Sequence, residues 1–142
     1  MPARPITSRR SVLRGAAVTS VAGLGAAACK APGGAATAEA TPTAPVDLGA
    51  ESEVAAGGAR FYREHNVVVS RSATGVLKAY STVCTHAGCP INKLQGTTLV
   101  CPCHGSEFDA VTGKVVRSPA TEPLNELPVR ASNGRIVAGP GA

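Results

Sequence analysis

From Asp47 onward the chain consists of short β-prone pieces separated by turn residues, and no segment carries apolar residues at helical spacing. The clearest turn is Asn133-Gly134, because both central positions of a two-residue type I′ hairpin need positive φ. The pattern predicts an all-β head built of small antiparallel sheets. The predicted strands are 53–56, 60–62, 66–70, 76–80, 98–100, 114–116, 127–131 and 135–138.

Residues 1–28 have a different pattern, which is typical of an export signal. A basic segment containing Arg9-Arg10 precedes an uncharged run of 14 residues, Gly15 to Ala28. That run is too short and too rich in alanine for a membrane span. The paired arginines followed by Val12-Leu13 resemble a twin-arginine signal, and an ordinary secretory signal is the alternative. We therefore expect an exported protein.

The segment after the signal predicts a tether. Ala26-Ala27-Ala28-Cys29 resembles a lipobox, in which Cys29 becomes the lipidated first residue of the mature protein. The alternative is cleavage after an Ala-x-Ala triplet, which leaves Cys29 as a free thiol. Residues 30–46 are mostly Ala, Thr, Pro and Gly and bury too little surface to order themselves. The predicted organisation is a signal at 1–28, a tether at 29–46 that would attach the protein to a membrane through Cys29, and a folded domain at 47–142.

Charge and composition narrow the function. A chain of 142 residues holds one such domain. Its formal net charge is +5, but four of its 14 basic residues are arginines within the first 14 positions, and the remaining ten face nine acidic ones. A near-neutral body gives no nucleic-acid footprint. We find no acid–base pair or nucleophile motif, so we expect no catalytic residues and no turnover by this chain alone.

Two short boxes hold four of the five cysteines and two of the three histidines. The first is CTHAGCP (84–90) and the second is CPCHGS (101–106), and the spacings that matter are Cys84-x-His86 and Cys101-x-x-His104. Thiolates and imidazoles this dense bind a thiophilic metal, and zinc and an iron–sulfur cluster are the candidates. Two ferric ions, two sulfides and two thiolates sum to zero charge, so a cluster with mixed ligands accepts an electron more easily than an all-cysteine cluster.

CTHxGCP followed by CPCHGSxFD resembles the paired boxes of the Rieske [2Fe–2S] proteins, specifically the disulfide-containing branch of cytochrome bc-type complexes. The similarity covers about residues 50–140 and includes 118–124, which resembles that family's proline loop, the name used below for this segment. The resemblance implies that one iron is bound by two cysteines and the other by two histidines, and that the remaining two cysteines of the boxes form a disulfide, a bond that survives in an exported protein. The implied ligands are Cys84, Cys101, His86 and His104, and the implied disulfide is Cys89–Cys103.

The resemblance also implies residues that tune the cluster. Gly88, Gly105 and nearby backbone N–H groups would surround the sulfides, and Pro119 would pack beside the cluster in the proline loop. Ser106 would donate a hydrogen bond to a bridging sulfide and stabilise the reduced state. Phe108 stands where high-potential members have a tyrosine that donates to a cysteine sulfur, which predicts a lower potential than theirs.

The predicted function is one-electron transfer through a [2Fe–2S] cluster at the outer face of a bacterial membrane. The expected partners are redox proteins: a cytochrome, a quinol-oxidising complex or an oxidase. The alternative function is a Rieske subunit of a quinol:cytochrome c oxidoreductase or of a periplasmic oxidase. A structural zinc site also suits two cysteines and two histidines, but it leaves Cys89 and Cys103 without a role.

Overall fold

The computed structural model describes residues 41–142, so the predicted signal, Cys29 and most of the predicted tether lie outside the described residues. Within that range every strand pairs antiparallel to its neighbours. The strands are β1 (Val46–Ala50), β2 (Ala59–Tyr62), β3 (Val67–Arg71), β4 (Leu77–Ser81), β5 (Lys93–Gln95), β6 (Thr98–Val100), β7 (Glu107–Asp109), β8 (Val115–Arg117), β9 (Glu126–Leu127), β10 (Val129–Ser132) and β11 (Arg135–Ala138).

The strands form three small sheets, which confirms the predicted all-β class of small antiparallel sheets. Their orders are β1-β11-β10, β2-β3-β4-β9 and β5-β6-β7-β8. The only helical pieces among residues 41–142 are the 3-10 turns Glu51–Glu53 and Arg63–His65. In this part of the chain no helix is long and apolar enough to span a membrane.

Most predicted strands exist, with two of them, 98–100 and 135–138, at the predicted bounds. Asn133 and Gly134 connect β10 to β11 with φ angles of 52° and 73°, as the type I′ turn requires. The predicted strand 53–56 is wrong, because a 3-10 turn ends at Glu53 and Val54 alone enters the core. The predicted strand 127–131 is divided at Pro128, which has no N–H to donate: β9 pairs with β4, and β10 pairs with β11.

The folded region begins before the predicted boundary at residue 47. Val46 opens β1 and pairs with Ala138 of β11. Farther upstream, the Thr41 hydroxyl hydrogen bonds with the buried Ser81 hydroxyl at 2.6 Å. Residues 41–46, which were predicted to belong to the tether, therefore belong to the folded domain. Their sequence has little hydrophobic pattern, and contacts with β11 and with Ser81 hold them.

Strand β3 separates two hydrophobic cores. Its run Val67-Val68-Val69 is fully buried, and successive side chains of a strand point to opposite faces. Val67 and Val69 pack into one core, with Leu48 and Ile136 from the first sheet. Val68 packs into the other core, which extends to the β5-β6-β7-β8 sheet and includes the cysteines at 84 and 101. The second core is therefore the one that supports the two boxes.

Candidate metal centre

The two boxes are loops at the ends of short strands. The first runs between β4 and β5, where Val83 and Pro90 form an isolated bridge and Ile91 N–H donates to the Thr82 carbonyl at 2.8 Å. The second connects β6 to β7, so it is the loop of a hairpin. The β5-β6-β7-β8 sheet thus carries the first box beside its edge strand β5 and the second box between its two central strands, β6 and β7.

Both boxes close on themselves in the same way. In the first, Gly88 N–H donates to the Cys84 carbonyl at 2.8 Å, and Cys84 N–H donates to the Cys89 carbonyl at 2.8 Å. In the second, Gly105 N–H donates to the Cys101 carbonyl at 3.1 Å, and Cys101 N–H donates to the Ser106 carbonyl at 2.9 Å. Each box therefore begins with a cysteine and turns back through a glycine four residues later.

The two glycines serve these turns by their backbone conformation. Gly88 has φ 72° and Gly105 has φ 77°, a region that residues with a side chain rarely adopt. Their own N–H groups donate to carbonyls within the boxes. The position of these glycines around the sulfides, which the family resemblance implies, stays a prediction. The backbone N–H groups of Cys103 and His104 face the Cys101 sulfur.

Cys84 and Cys101 are free thiols, and each is buried with 2% of its surface exposed. Burial raises the pKa of the Cys101 thiol, and the adjacent Cys84 thiol raises it further, whereas the facing N–H groups of Cys103 and His104 lower it. A metal binds the thiolate form of cysteine, and the backbone donors that face Cys101 stabilise that form.

The two histidines of the boxes are exposed, whereas these thiols are buried. The rings of His86 and His104 have centroids 4.8 Å apart and planes at 80°, and both residues are exposed. Each comes from the same box as one of the free cysteines. The structure thus brings one thiol and one imidazole from each box to the same end of the domain.

Cys89 and Cys103 form the disulfide that the resemblance implies, with Cα atoms 6.6 Å apart. The Cys101 sulfur lies within 4.8 Å of both sulfurs of this bond. Because the two sulfurs of the disulfide are joined to each other, Cys101 is the one member of this trio that is free to ligate a metal. The disulfide joins the two boxes covalently next to the free thiols.

The proline loop approaches both boxes. Thr85 of the first box donates its hydroxyl to the Glu122 carbonyl at 2.7 Å, and Ala120 N–H donates to the Ser106 hydroxyl oxygen of the second box at 3.0 Å. Pro119, which follows a cis peptide bond, is exposed, whereas Ala120 is buried in the same core as the free cysteines. The role of Pro119 beside the cluster, which the resemblance implies, stays a prediction, and Ala120 is the residue of this loop that packs into the core of the free cysteines.

Phe108 forms the floor of the site. It is fully buried in β7, opposite Leu99 of β6, in the core that contains both free cysteines. Its ring has no donor, so it contributes packing and a low dielectric only. Sequence reasoning missed the hydroxyl of Thr85, because nothing in the local pattern indicates that a residue 37 positions away supplies its acceptor.

A small β domain that presents two buried thiols and two exposed imidazoles on disulfide-linked loops belongs to the class of metal-binding proteins. Residues 44–128 match the family described as the Rieske [2Fe-2S] domain. The chain belongs to this family, and its cofactor is a [2Fe–2S] cluster.

Similar proteins include subunits named for a respiratory nitrate reductase and for a cytochrome b6-f complex. A "putative respiratory nitrate reductase subunit Rieske" of Haloferax mediterranei is 47% identical over 62 residues, which are 42% of this chain and 28% of the relative. A cytochrome b6-f complex iron-sulfur subunit of Chlorobaculum tepidum is 32% identical over 92 residues, 63% of this chain and 50% of the relative. The chain therefore spans at most half of these relatives' length.

A solved structure also shares the fold. It is the plasma membrane Rieske protein PetC3 from Synechocystis PCC 6803, with 32% identity and a TM-score of 0.51 over 66% of this chain and 97% of the other. The likeness covers almost the whole of that protein and agrees with an electron-transfer domain of Rieske type.

The residues present fit the cluster that the family carries. The donor set contains two buried thiols left unpaired beside a formed disulfide, and two imidazoles from the same loops. Ser106 is fully buried and its oxygen accepts from Ala120 N–H, but its own proton has no hydrogen-bond acceptor among the described residues. A buried hydroxyl without an acceptor is costly, so a sulfide acceptor at this position would satisfy it.

Proposed function

We propose that the chain carries single electrons through a [2Fe–2S] cluster in which Cys84 and Cys101 ligate one iron and His86 and His104 the other. The observation that carries this proposal is the pairing of two buried free thiols with two exposed imidazoles, one of each from each box. The cluster supplies a one-electron redox centre. The protein shields its sulfur side and leaves the imidazole edge open, so electrons would enter and leave past the histidines.

The surroundings of the ligands set the potential in this proposal. Neutral imidazoles make their iron easier to reduce than thiolates do, which raises the potential above that of all-cysteine ferredoxins. The Ser106 hydroxyl stabilises the reduced state by donating to a sulfide. Phe108 supplies no donor, which keeps the potential below that of relatives with a tyrosine at this position.

Spectroscopy of the purified protein tests the ligand set. The dithionite-reduced protein should give the electron paramagnetic resonance signal of a cluster with mixed ligands, and Cys84→Ser or His86→Ala should abolish it. Cys29→Ser is the matched control, because it removes a cysteine outside the boxes and should leave the signal intact. A colourless wild-type protein that binds stoichiometric zinc instead would refute the proposal.

We further propose that the protein is exported through its paired arginines and held at the outer face of the cytoplasmic membrane by a lipid on Cys29. The twin-arginine route supports this because it exports folded proteins, and a cluster inserted in the cytoplasm needs that. The similar Synechocystis protein is a plasma membrane Rieske protein. Fractionation tests the proposal: the wild type should sediment with membranes, and Cys29→Ser should be released in soluble form with its cluster.

A second candidate is a subunit of a quinol-oxidising complex or of a periplasmic oxidoreductase. Relatives named as a cytochrome b6-f subunit and as a nitrate reductase subunit favour it. Affinity purification from detergent-solubilised membranes distinguishes the two functions. A cytochrome b that copurifies in stoichiometric amount supports the subunit, whereas a protein isolated alone and reduced by soluble partners supports the carrier.

A further inference from the structure

The middle of the proline loop is held by two hydrogen bonds, one to each box. The hydroxyl of Thr85 donates to the Glu122 carbonyl at 2.7 Å, and the Ala120 N–H donates to the hydroxyl oxygen of Ser106 at 3.0 Å. The two bonds are only two residues apart in the loop. A shift of the loop that breaks the bond from Thr85 therefore also moves the N–H that faces Ser106.

Little else fixes this part of the loop. At the end of the loop, Leu124 is buried and its N–H donates to the Gly113 carbonyl at 2.8 Å. Just before the loop begins, Arg117 forms a salt bridge with Glu107 at 2.8 Å. Between these ends Ala120 is the only buried residue. An alanine buries little apolar area, so hydrogen bonds rather than packing must hold the segment in place.

The bond from Ala120 constrains the proton of Ser106. A serine hydroxyl has one proton to donate and lone pairs that accept. When the oxygen accepts the Ala120 N–H, that direction is occupied by a donor, and the hydroxyl proton must point elsewhere. Without the N–H the hydroxyl is free to rotate about its C–O bond, and the time-averaged donation in any one direction becomes weaker.

We propose that Thr85 is a positioning residue that acts on the cluster through Ser106. Its hydroxyl holds the proline loop by the Glu122 carbonyl, the loop holds the Ala120 N–H against the Ser106 oxygen, and the Ser106 proton is thereby directed at the cluster. This inference rests on the proposed ligand set and on the proposed donation by Ser106. It assigns the role to a residue that ligates nothing.

A double-mutant cycle on the reduction potential of the holoprotein tests the proposal, with Thr85→Val, Ser106→Ala and the double variant. Thr85→Val should shift the potential downward by part of the shift that Ser106→Ala causes, because the reduced state loses part of a donor. In the Ser106→Ala background, Thr85→Val should have no further effect. A shift of the same size in both backgrounds, or no shift in either, overturns the proposal.

Two variants separate the hydroxyl from general disturbance of the loop. Thr85→Ser keeps the donor and should retain the wild-type potential. Thr121→Val makes the same chemical change at an exposed threonine of the same loop, for which the described residues provide no hydrogen-bond partner, and should also leave the potential unchanged. A shift in Thr121→Val as large as in Thr85→Val would contradict the specific role of Thr85.

Hydrogen exchange of the peptide 118–124 in the holoprotein gives a readout other than the potential. Exchange should be faster in Thr85→Val than in the wild type or in Thr85→Ser. If Thr85→Val loses its cluster, Thr85→Ala removes the same hydroxyl with less bulk. If both Thr85→Val and Thr85→Ala lose the cluster while exchange across 118–124 stays slow, the result counts against the proposal. It would mean that Thr85 acts on the cluster by a route other than the loop.

The outcomes also separate this inference from the function on which it rests. A wild-type protein without the spectrum of a mixed-ligand cluster defeats the proposed ligand set. A wild type with the normal spectrum, combined with an unshifted potential in Thr85→Val, defeats only the role of Thr85.

Discussion

The close contact between Gly113 and Tyr80 gives the sharpest test of the structure. A Cβ at Gly113 would lie 2.6 Å from Tyr80 Cε1 and 2.8 Å from Cδ1, whereas a Cβ at Gly134 would meet no atom within 4 Å. The two glycines have φ angles of 72° and 73°, so both lose the same backbone freedom on substitution. Gly134→Ala is therefore a matched control for the strain of the left-handed backbone.

The expected losses of stability follow from the left-handed backbone at both glycines and from the contact with the Tyr80 ring at Gly113 alone. Gly134→Ala should lower the free energy of unfolding by about 1–2 kcal/mol, the cost of the left-handed conformation for a residue with a Cβ. Gly113→Ala should lower it by a further 1–3 kcal/mol or so, because the ring of Tyr80 must move within a packed core. Each kcal/mol corresponds to about 4–8 °C in melting temperature for a domain of this size.

Thermal unfolding of the holoprotein, followed by circular dichroism and by the colour of the cluster, measures the difference. Tyr80 belongs to the core that contains the two free cysteines, so Gly113→Ala should also speed the loss of colour. In a Tyr80→Leu background the ring is absent, and the cost of Gly113→Ala should fall to that of Gly134→Ala. Equal costs at both glycines in the wild-type background would refute the reasoning.

Three further substitutions test the site and its support. Phe108→Tyr places a hydroxyl in the buried floor of the site and should raise the reduction potential in protein-film voltammetry; an unchanged or lower potential argues against a donor effect at this position. Replacing Cys89 and Cys103 together by serine opens a link between residues 14 apart and should cost about 3 kcal/mol of stability, measured as melting temperature and cluster half-life; an unchanged half-life contradicts a supporting role for the disulfide. Thr82→Val removes a fully buried hydroxyl that has no partner among the described residues and should leave the melting temperature equal or higher, since an unpaired buried hydroxyl costs about 1–3 kcal/mol; a clear decrease would show that a bound water satisfies it.

The sequence pattern predicted those elements that are determined by their own residues. The turn at Asn133-Gly134 needs positive φ at both positions, and the hairpin forms there. The boxes were recognisable because soft ligands at short spacing are rare outside metal sites. In these segments, the physical constraint and the sequence signal involve the same residues.

The elements that sequence reasoning missed depend on partners outside the element itself. Strands β5 and β7 each have one apolar residue between two polar ones, unlike the mostly apolar β6, and they form because β6 pairs with both. Strand β1 contains Gly49 at a bulge and is held by its pairing with β11. The bond from Thr85 to Glu122 is of the same kind, since its two ends are 37 residues apart and neither signals the other.

The run of three valines in β3 has a consequence for how this domain can change over evolution. The core that contains Leu48 and Ile136 and the core that contains the two free cysteines share this strand. Val67 and Val69 pack into the first core, and Val68 packs into the second. Substitutions in the first core, such as those that adapt a protein to another temperature or to a new fused module, can therefore accumulate while the second core, which supports the two boxes, keeps its packing. Val68 is the residue of this strand that packs into the core of the two free cysteines, so it is the position at which a substitution in β3 would change the surroundings of the boxes.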